Sequence, residues 1–346
     1  MKILHILSSD RFSGAENVVC QIIDMMREDL EFEMVYCSPD GPIRETLAEK
    51  NIVYVPIRAV TVAEIKRVLR ELRPDRIHAH DMRASVMAAA ACGKLPLISH
   101  IHNNNLESSR LSIRSAAYFF AALKAKHIFW VSSSACEDYI FHKVFLRKSE
   151  ILQNILNVER LYQTMEQDQN SYPYDLVYVG RLTYPKNPQR LLRVLAGVVS
   201  QEPSVRAAIV GSGEMEEEIR QLAENLHLGK NVDFLGFRKN PLKIMHDAKV
   251  MLMTSRWEGT PMCVLEAMAL GLPLVCTPTD GINELIENDK NGYTSQDDDV
   301  LVKKILEIIR DENLHSRLSE YTKQKSESIN RPENYKERLS SVYKEI

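Results

Sequence analysis

The chain of 346 residues is long for one hydrophobic core, so two domains of ordinary size are expected. Its apolar fraction of 45% and charged fraction of 26% are those of a soluble globular protein, and no apolar run approaches the ~20 residues of a membrane span. A formal net charge of −3 argues against the basic footprint of nucleic-acid binding.

The chain opens on an alternating apolar segment, Lys2–Leu7, which reads as a first strand and not as a signal peptide. Short apolar runs follow at Phe32–Cys37, Val53–Val55, Arg76–Ala79, Leu97–His100 and His127–Val131, each trailed by a stretch of helical length. Such alternation predicts an open parallel α/β sheet covered on both faces. The polar segment Asn157–Pro173 reads as a linker. The pattern then restarts at Asp175–Gly180 and continues through Ala207–Val210, Val232–Leu235, Val250–Met253 and Leu274–Cys276. Two doubly wound domains in tandem follow, with a ligand cleft expected between them, and residues beyond about 297 read as helices only. The six cysteines form no CxxC pair and lie in apolar stretches, which predicts a reduced, cytoplasmic protein without disulfides or structural zinc.

Charge is unevenly spread: residues 44–126 carry 14 Lys/Arg against 7 Asp/Glu. Within that span, 109–126 mixes Arg110, Arg114, Lys124 and Lys126 with Leu111, Tyr118, Phe119, Phe120 and Leu123. It reads as a helix packed on the sheet, or as a basic apolar surface that meets a membrane. Histidines cluster at two strand ends, His78-Ala-His80-Asp81 and His100-Ile-His102, where alternate residues share a face. A metal-dependent hydrolase is the rival reading they open, although no carboxylate is spaced as in H-x-H-x-D.

The most informative stretch is Ser255–Pro273, which follows the strand Val250–Met253. Thr260 suits an N-cap and Pro261 the first helical position, so a helix is expected to start there. Its first turn leaves the amides of Met262 and Cys263 without internal partners, an arrangement suited to a diphosphate. Glu258 precedes that helix and Glu266 lies inside it, and either carboxylate can accept hydrogen bonds from a vicinal diol. Read blandly, they are a solvated capping residue and a helix-surface residue.

The pattern S-x-x-E-G-x-P-x-x-x-L-E-A-M-A-x-G-x-P, with its two glutamates, resembles the signature of family 4 retaining glycosyltransferases, also called group 1 glycosyltransferases. That resemblance implies the GT-B fold: two Rossmann-like domains, here 1–157 for the acceptor and 173–325 for a nucleotide-sugar, with a C-terminal helix in 326–346 packing back on the first. Val179-Gly-Arg-Leu-Thr-Tyr-Pro-Lys-Asn187 is similar to the family's G-R-x-x-x-x-K segment, which implies that Arg181 and Lys186 pair with the donor diphosphate. Ile209-Val-Gly-Ser-Gly-Glu214 places Gly211 and Gly213 after a strand, without the third glycine of a dinucleotide fingerprint. The resemblance further implies Arg238 near the base, and Gly14 of Ser13-Gly-Ala-Glu16 approached closely by the diphosphate. His102 and Glu258 then position the sugar, Glu266 the ribose, and Thr260, Met262 and Cys263 belong to the donor-binding turn. Asp280-Gly-Ile-Asn-Glu284 resembles a further family element of structural role. No metal cofactor is expected, because two cations and a helix terminus supply the positive field, and Asp297-Asp-Asp299 reads as a helix cap. The implied activity moves a hexose to a hydroxyl acceptor, a sugar or lipid-linked saccharide, with retention, at the inner face of the membrane, for exopolysaccharide or cell-envelope glycan. A subunit that binds the donor without turnover is the other alternative, left open by Ser13 and Asp280 where the family has glycine.

Overall fold

The structure, a computed structural model, describes residues 1–102 and 108–346; Asn103, the residue after His102, lies outside them. The chain divides into two compact units, Met1–Ile155 with Arg331–Ile346, and Leu156–Asn330.

The first unit is built on seven parallel strands: β1 (Lys2–Leu7), β2 (Glu33–Pro39), β3 (Tyr54–Ile57), β4 (Arg76–His80), β5 (Leu97–Ile101), β6 (His127–Trp130) and β7 (Ser149–Ile151). They lie in the order β3-β2-β1-β4-β5-β6-β7. The period of two along each strand divides the side chains between two faces. Leu4, Ile6, Ile77 and Ala79 enter one apolar core with Ile65, Ala84 and Tyr118 from the covering helices. His5, His78, His80 and His100 alternate with them and are fully buried on the other face. There the last helix, Pro332–Glu345, packs by Tyr335, Leu339, Val342 and Tyr343. Tyr343 bonds through its hydroxyl to His78 Nδ1 at 2.8 Å, and Arg338 meets Glu150 at 2.7 Å.

The second unit repeats the plan with β8 (Leu176–Val179), β9 (Ala207–Val210), β10 (Val232–Gly236), β11 (Val250–Met253), β12 (Leu274–Cys276) and β13 (Gly292–Thr294), ordered β10-β9-β8-β11-β12-β13 and all parallel. Its core joins Leu176, Tyr178 and Ile209 of the sheet to Leu191, Leu195 and Ile305 of the helices. Among the described residues, only helices follow β13, and Asp297 caps the helix Asp298–Arg310 by accepting from the Asp299 amide at 2.9 Å.

Two expectations are corrected. The supposed linker begins as a helix, Val158–Glu166, whose N-cap Asn157 accepts from the Arg160 amide at 2.9 Å. Val158, Leu161, Tyr162 and Met165 stand at helical spacing; Leu161 and Met165 are buried, and the Tyr162 hydroxyl donates to the Ala269 carbonyl at 2.9 Å. The edge strands β7 and β13 were not anticipated. Each has three residues, too few to display a period.

Candidate functional site

In an open parallel sheet, ligands gather at the carboxyl ends of the strands where the strand order reverses. In the second unit that point lies between β8 and β11, which pair as neighbours while β9 and β12 run off to either side. The loops after these two strands carry most of the residues singled out from the sequence. After β8 the chain makes a short turn, Tyr184–Lys186, closed by Asn187 in the left-handed conformation (φ 53°). After β11, the Thr254 hydroxyl donates to the Asn187 carbonyl at 3.1 Å and the Arg256 amide to the Pro185 carbonyl at 2.8 Å. The two loops are thereby held as one surface.

Across it, Lys186 Nζ meets Glu258 Oε1 at 2.5 Å, and Ser255 Oγ donates to the same oxygen at 2.6 Å. Burial works against the Lys186 charge, but the Glu258 carboxylate outweighs it and holds the ammonium above its usual range. Arg181 is exposed at the start of the loop, and its own charge opposes that of Lys186. The helix Met262–Ala269 begins beside this pair. Burial pushes the Cys263 thiol up to about 12, opposed by Lys186 and reinforced by Glu258 and Glu266. Cys263 therefore offers a backbone amide and a protonated, inert side chain. So Glu258, Cys263 and Arg181 gather within electrostatic reach of Lys186, and Glu258 and Glu266 within reach of Cys263, with Glu266 half-buried in the helix.

The helix start itself is corrected. Its N-cap is Pro261, in extended conformation (ψ 124°) and without a side-chain cap bond, and not Thr260. Proline cannot donate, but its carbonyl accepts from the Val264 amide at 3.0 Å, so the first turn is closed from the backbone alone. The amides of Met262 and Cys263 still stand outside the ladder of the helix. Thr260 is buried one residue further back.

Glycines let the neighbouring loops approach. A Cβ on Gly211 (φ 142°) would lie 1.9 Å from the Gly180 carbonyl oxygen, and the Gly211 amide donates to the Gly236 carbonyl at 2.8 Å. A Cβ on Gly281 would sit 1.2 Å from the Gly259 oxygen, so the Asp280–Asn283 turn backs directly onto the Glu258 loop. Arg238 stands apart. It is exposed beyond β10, and its charge is felt at Tyr172, not within the cluster.

In the first unit the reversal lies between β1 and β4. Gly14 opens the helix Gly14–Met26 after β1, exposed, and a Cβ there would meet nothing within 4 Å. Asp81 follows β4 as the N-cap of the helix Met82–Ala91, at φ 97°, strained for a residue with a side chain. Its carboxylate accepts from Ser8 Oγ at 3.0 Å and from the Ala84 amide at 2.7 Å, and burial raises its pKa to about 6 against those bonds. His102 lies at the end of β5 and is buried. A chain of rings leads inward from it: His102 Nε2 to His80 Nδ1 at 2.9 Å, and His80 Nε2 to His5 Nδ1 at 2.9 Å. Burial holds all of these imidazoles neutral, with His5 and His102 lowered to about 3. The nitrogens of His80, His100 and His102 lie within 4.8 Å of one another, as do those of His5, His78 and His80. Hydrolysis at a metal needs an open position for water. These rings are at most 6% exposed and His80 spends both nitrogens on its neighbours, so the arrangement is that of a packed interior.

Comparison with known proteins agrees with this architecture. A family model described as Glycosyl transferases group 1 matches residues 163–325, and one described as Glycosyltransferase Family 4 matches residues 12–160. The chain belongs to the family 4 (group 1) glycosyltransferases. It is 29% identical over 238 residues to the glycosyltransferase MJ1059 of Methanocaldococcus jannaschii, covering 62% of this chain and 58% of that one. It is 23% identical over 332 residues to the UDP-Gal:alpha-D-GlcNAc-diphosphoundecaprenol alpha-1,3-galactosyltransferase of Escherichia coli, covering 87% and 85%. The crystal structure of Anabaena Alr3699/HepE with UDP-glucose superposes with a TM-score of 0.85 at 22% identity over 100% of both chains, which shows the same GT-B fold. Within this glycosyltransferase, two residues that shape the loops after β8 and β11 were not among the sequence-predicted site residues. Asn187 left a signal, because Asn-Pro after a lysine marks a turn end; Ser255 had no signal beyond its place in the motif.

Proposed function

We propose that this glycosyltransferase moves a hexose from a nucleoside-diphosphate sugar to a hydroxyl of a sugar or lipid-linked saccharide, with retention, in the assembly of a cell-envelope glycan. The observation that carries the donor half is the Lys186–Glu258–Ser255 group beside the open amides of Met262 and Cys263. In the reaction the bond from the anomeric carbon to the diphosphate oxygen breaks, and the acceptor oxygen forms the new bond to that carbon. The acceptor hydroxyl gives its proton to an oxygen of the departing diphosphate, on which the negative charge develops as the bond breaks. Arg181, Lys186 and the two amides are fixed charge and dipoles aimed at that developing charge. Glu258, already bound to Lys186, takes the sugar hydroxyls, and Glu266 takes the ribose diol. His102 is assigned to the sugar through the family resemblance. Retention also rests on the resemblance. The glycan class is supported by the relative that extends a diphosphoundecaprenol-linked sugar.

No metal is required in this reading, since the cations and the helix start supply the positive field. A panel of nucleotide-sugars, scored by nucleotide release with and without a polyprenyl-diphosphate-linked sugar, is the direct test. One donor is expected to be turned over, only with acceptor, and equally well in excess EDTA. Tight binding with no release from any donor would instead indicate the inactive subunit, and loss of activity in EDTA would remove the metal-free assignment.

A further inference from the structure

Three imidazoles of the first unit form a line whose direction is set at its inner end. His5 comes from β1, His80 from β4 and His102 from the residue after β5, brought together because β1 pairs with β4 and β4 with β5. His5 Nε2 lies 3.4 Å from Met34 Sδ, His5 Nδ1 2.9 Å from His80 Nε2, and His80 Nδ1 2.9 Å from His102 Nε2. Successive ring centroids are 5.2 Å apart with the planes within 24° and 19° of parallel, so the rings meet edge to edge with the bonded nitrogens between them. That is the alignment of N–H···N hydrogen bonds, not of stacked faces.

A neutral imidazole has one N–H and one bare nitrogen, so each link fixes the next. A thioether has no hydrogen to give. The nitrogen facing Met34 is therefore the N–H of His5, which leaves His5 Nδ1 bare. His80 must then donate from Nε2 and accept at Nδ1, and His102 must donate from Nε2. The His102 Nδ1 is left with a lone pair, buried and outside every hydrogen bond of the described residues. The opposite direction would set a bare His5 nitrogen against the sulfur lone pairs. Burial keeps all three rings neutral, with His5 and His102 lowered to about 3. The neighbouring rings do not compete. His78 turns Nδ1 to the Tyr343 hydroxyl, and His100, whose centroid is 4.0 Å from that of His102, bonds through neither nitrogen among the described residues. The Asn154 side chain lies close to His102. Its amide can present either oxygen or NH2, so it follows the tautomer and does not set it.

We propose that Met34, His5 and His80 are positioning residues that hold His102 as the Nε2–H tautomer, so that its Nδ1 offers the site a hydrogen-bond acceptor. What this nitrogen takes is a group that donates, a hydroxyl of the nucleotide-sugar. A fluorine, keto oxygen or carboxylate in that place would set lone pair against lone pair. The tautomer rests on the geometry alone; only the hydroxyl rests on the transferase reading and on the assignment of His102 to the sugar.

The test is nitrogen NMR of the full chain with isotope-labelled histidine, in which bare and protonated ring nitrogens are separated by their shifts and each ring is assigned through its own backbone. The Nε2–H form is expected at all three histidines before any ligand is added. An Nδ1–H form at any of them in the wild type overturns the relay, whatever the activity. Met34→Leu keeps the bulk and removes the acceptor. A second, Nδ1–H set of signals is then expected at His102, with the donor KM about twofold higher where half the chains carry each form. A His102 spectrum unchanged in that variant overturns the role of Met34; should the variant fail to fold, the wild-type spectrum still decides the direction. The nucleotide-sugar that the wild type turns over is expected to move the His102 Nδ1 signal toward that of a hydrogen-bonded nitrogen, and a signal unmoved at saturation overturns the hydroxyl assignment. Three Nε2–H signals with no nucleotide-sugar turned over would sink the transferase reading and leave the relay standing.

Discussion

Arg181 and Lys186 carry the same formal charge in the same loop, yet the structure gives them different liabilities. Lys186 is 15% exposed at its side chain and locked to Glu258, which is 10% exposed. Removing one partner of so enclosed a pair leaves the other charge unpaired, which costs about 3–5 kcal/mol. Lys186→Ala is therefore expected to lower the melting temperature of the second unit as well as turnover. Arg181 is exposed. Arg181→Ala is expected to leave the melt within about 0.5 kcal/mol of wild type and to cut nucleotide release roughly 10–100-fold. A collapsed melt in Arg181→Ala would make it a structural residue. The histidines of the first unit give a second residue-scale expectation. Native His5 and His102 titrate near 3, against 6.5 when unfolded, so between those values the unfolded chain binds more protons. Stability is then level above about pH 6.5 and falls as pH drops below it, by about 1.4 kcal/mol per pH unit for each neutral buried histidine. Asp81, raised to about 6, gains protons in the native state and offsets part of this loss. Trp130 is buried in the first unit and Trp257 is half-buried in the second, so a Trp257→Phe background isolates the transition. Denaturation midpoints by Trp130 emission that do not change from pH 7 to pH 5 would contradict this.

At the scale of elements, the donor loops depend on backbone meeting backbone. Gly211 sits at φ 142° with the Gly180 oxygen where a Cβ would go, and its amide is spent on Gly236. Gly211→Ala forces the loop after β8 away and strains its own backbone, for about 2–4 kcal/mol. Because Arg181 rides on that loop, nucleotide affinity is expected to fall together with the Trp257 melt. Retained affinity, measured by titration calorimetry, would show the loops to be independent. These elements differ in how far they could be read from the sequence. The central strands of the second unit were legible because four apolar residues in a row, as in Leu176–Val179, Ala207–Val210 and Val250–Met253, have few other uses in an α/β chain, and the signature segment was legible because proline and glycine punctuate it. The helix Val158–Glu166 was hidden by its polar residues, although Leu161 and Met165 marked its buried side. The N-cap fell to Pro261 because a proline held extended closes the turn through its carbonyl, a choice that side-chain preferences do not encode. The convergence of His5 with His78 and His80 depends on β1 lying beside β4, and sequence spacing says nothing of that pairing.

At the scale of the molecule, the chain leaves the first unit at Ile155 and returns to it at Arg331, so the first unit is completed only by Arg331–Ile346, far along the chain from the rest of it. Those residues cover the histidine face. Tyr335, Leu339, Val342 and Tyr343 are at most 5% exposed, the Tyr343 hydroxyl bonds to His78, and Arg338 and Lys344 pair with Glu150 and Glu31. Burying four such side chains contributes roughly 6–12 kcal/mol, as large as the net stability of a typical domain. A chain ended after Asn330 would also leave His78 without the hydroxyl that its ring bonds, in an interior already crowded with neutral imidazoles. Such a truncation is expected to unfold the first unit at room temperature, seen as a red shift and loss of cooperativity in Trp130 emission. The second unit keeps every residue of its sheet and of the donor loops, so its Trp257 melt and nucleotide binding are expected to persist. The milder Tyr343→Phe removes only the bond to His78, and a loss of about 1–3 kcal/mol in the Trp130 transition is expected. A truncated chain whose Trp130 still melts cooperatively near the wild-type temperature would show that the histidine face is stable uncovered, and would reduce the helix to an appendage.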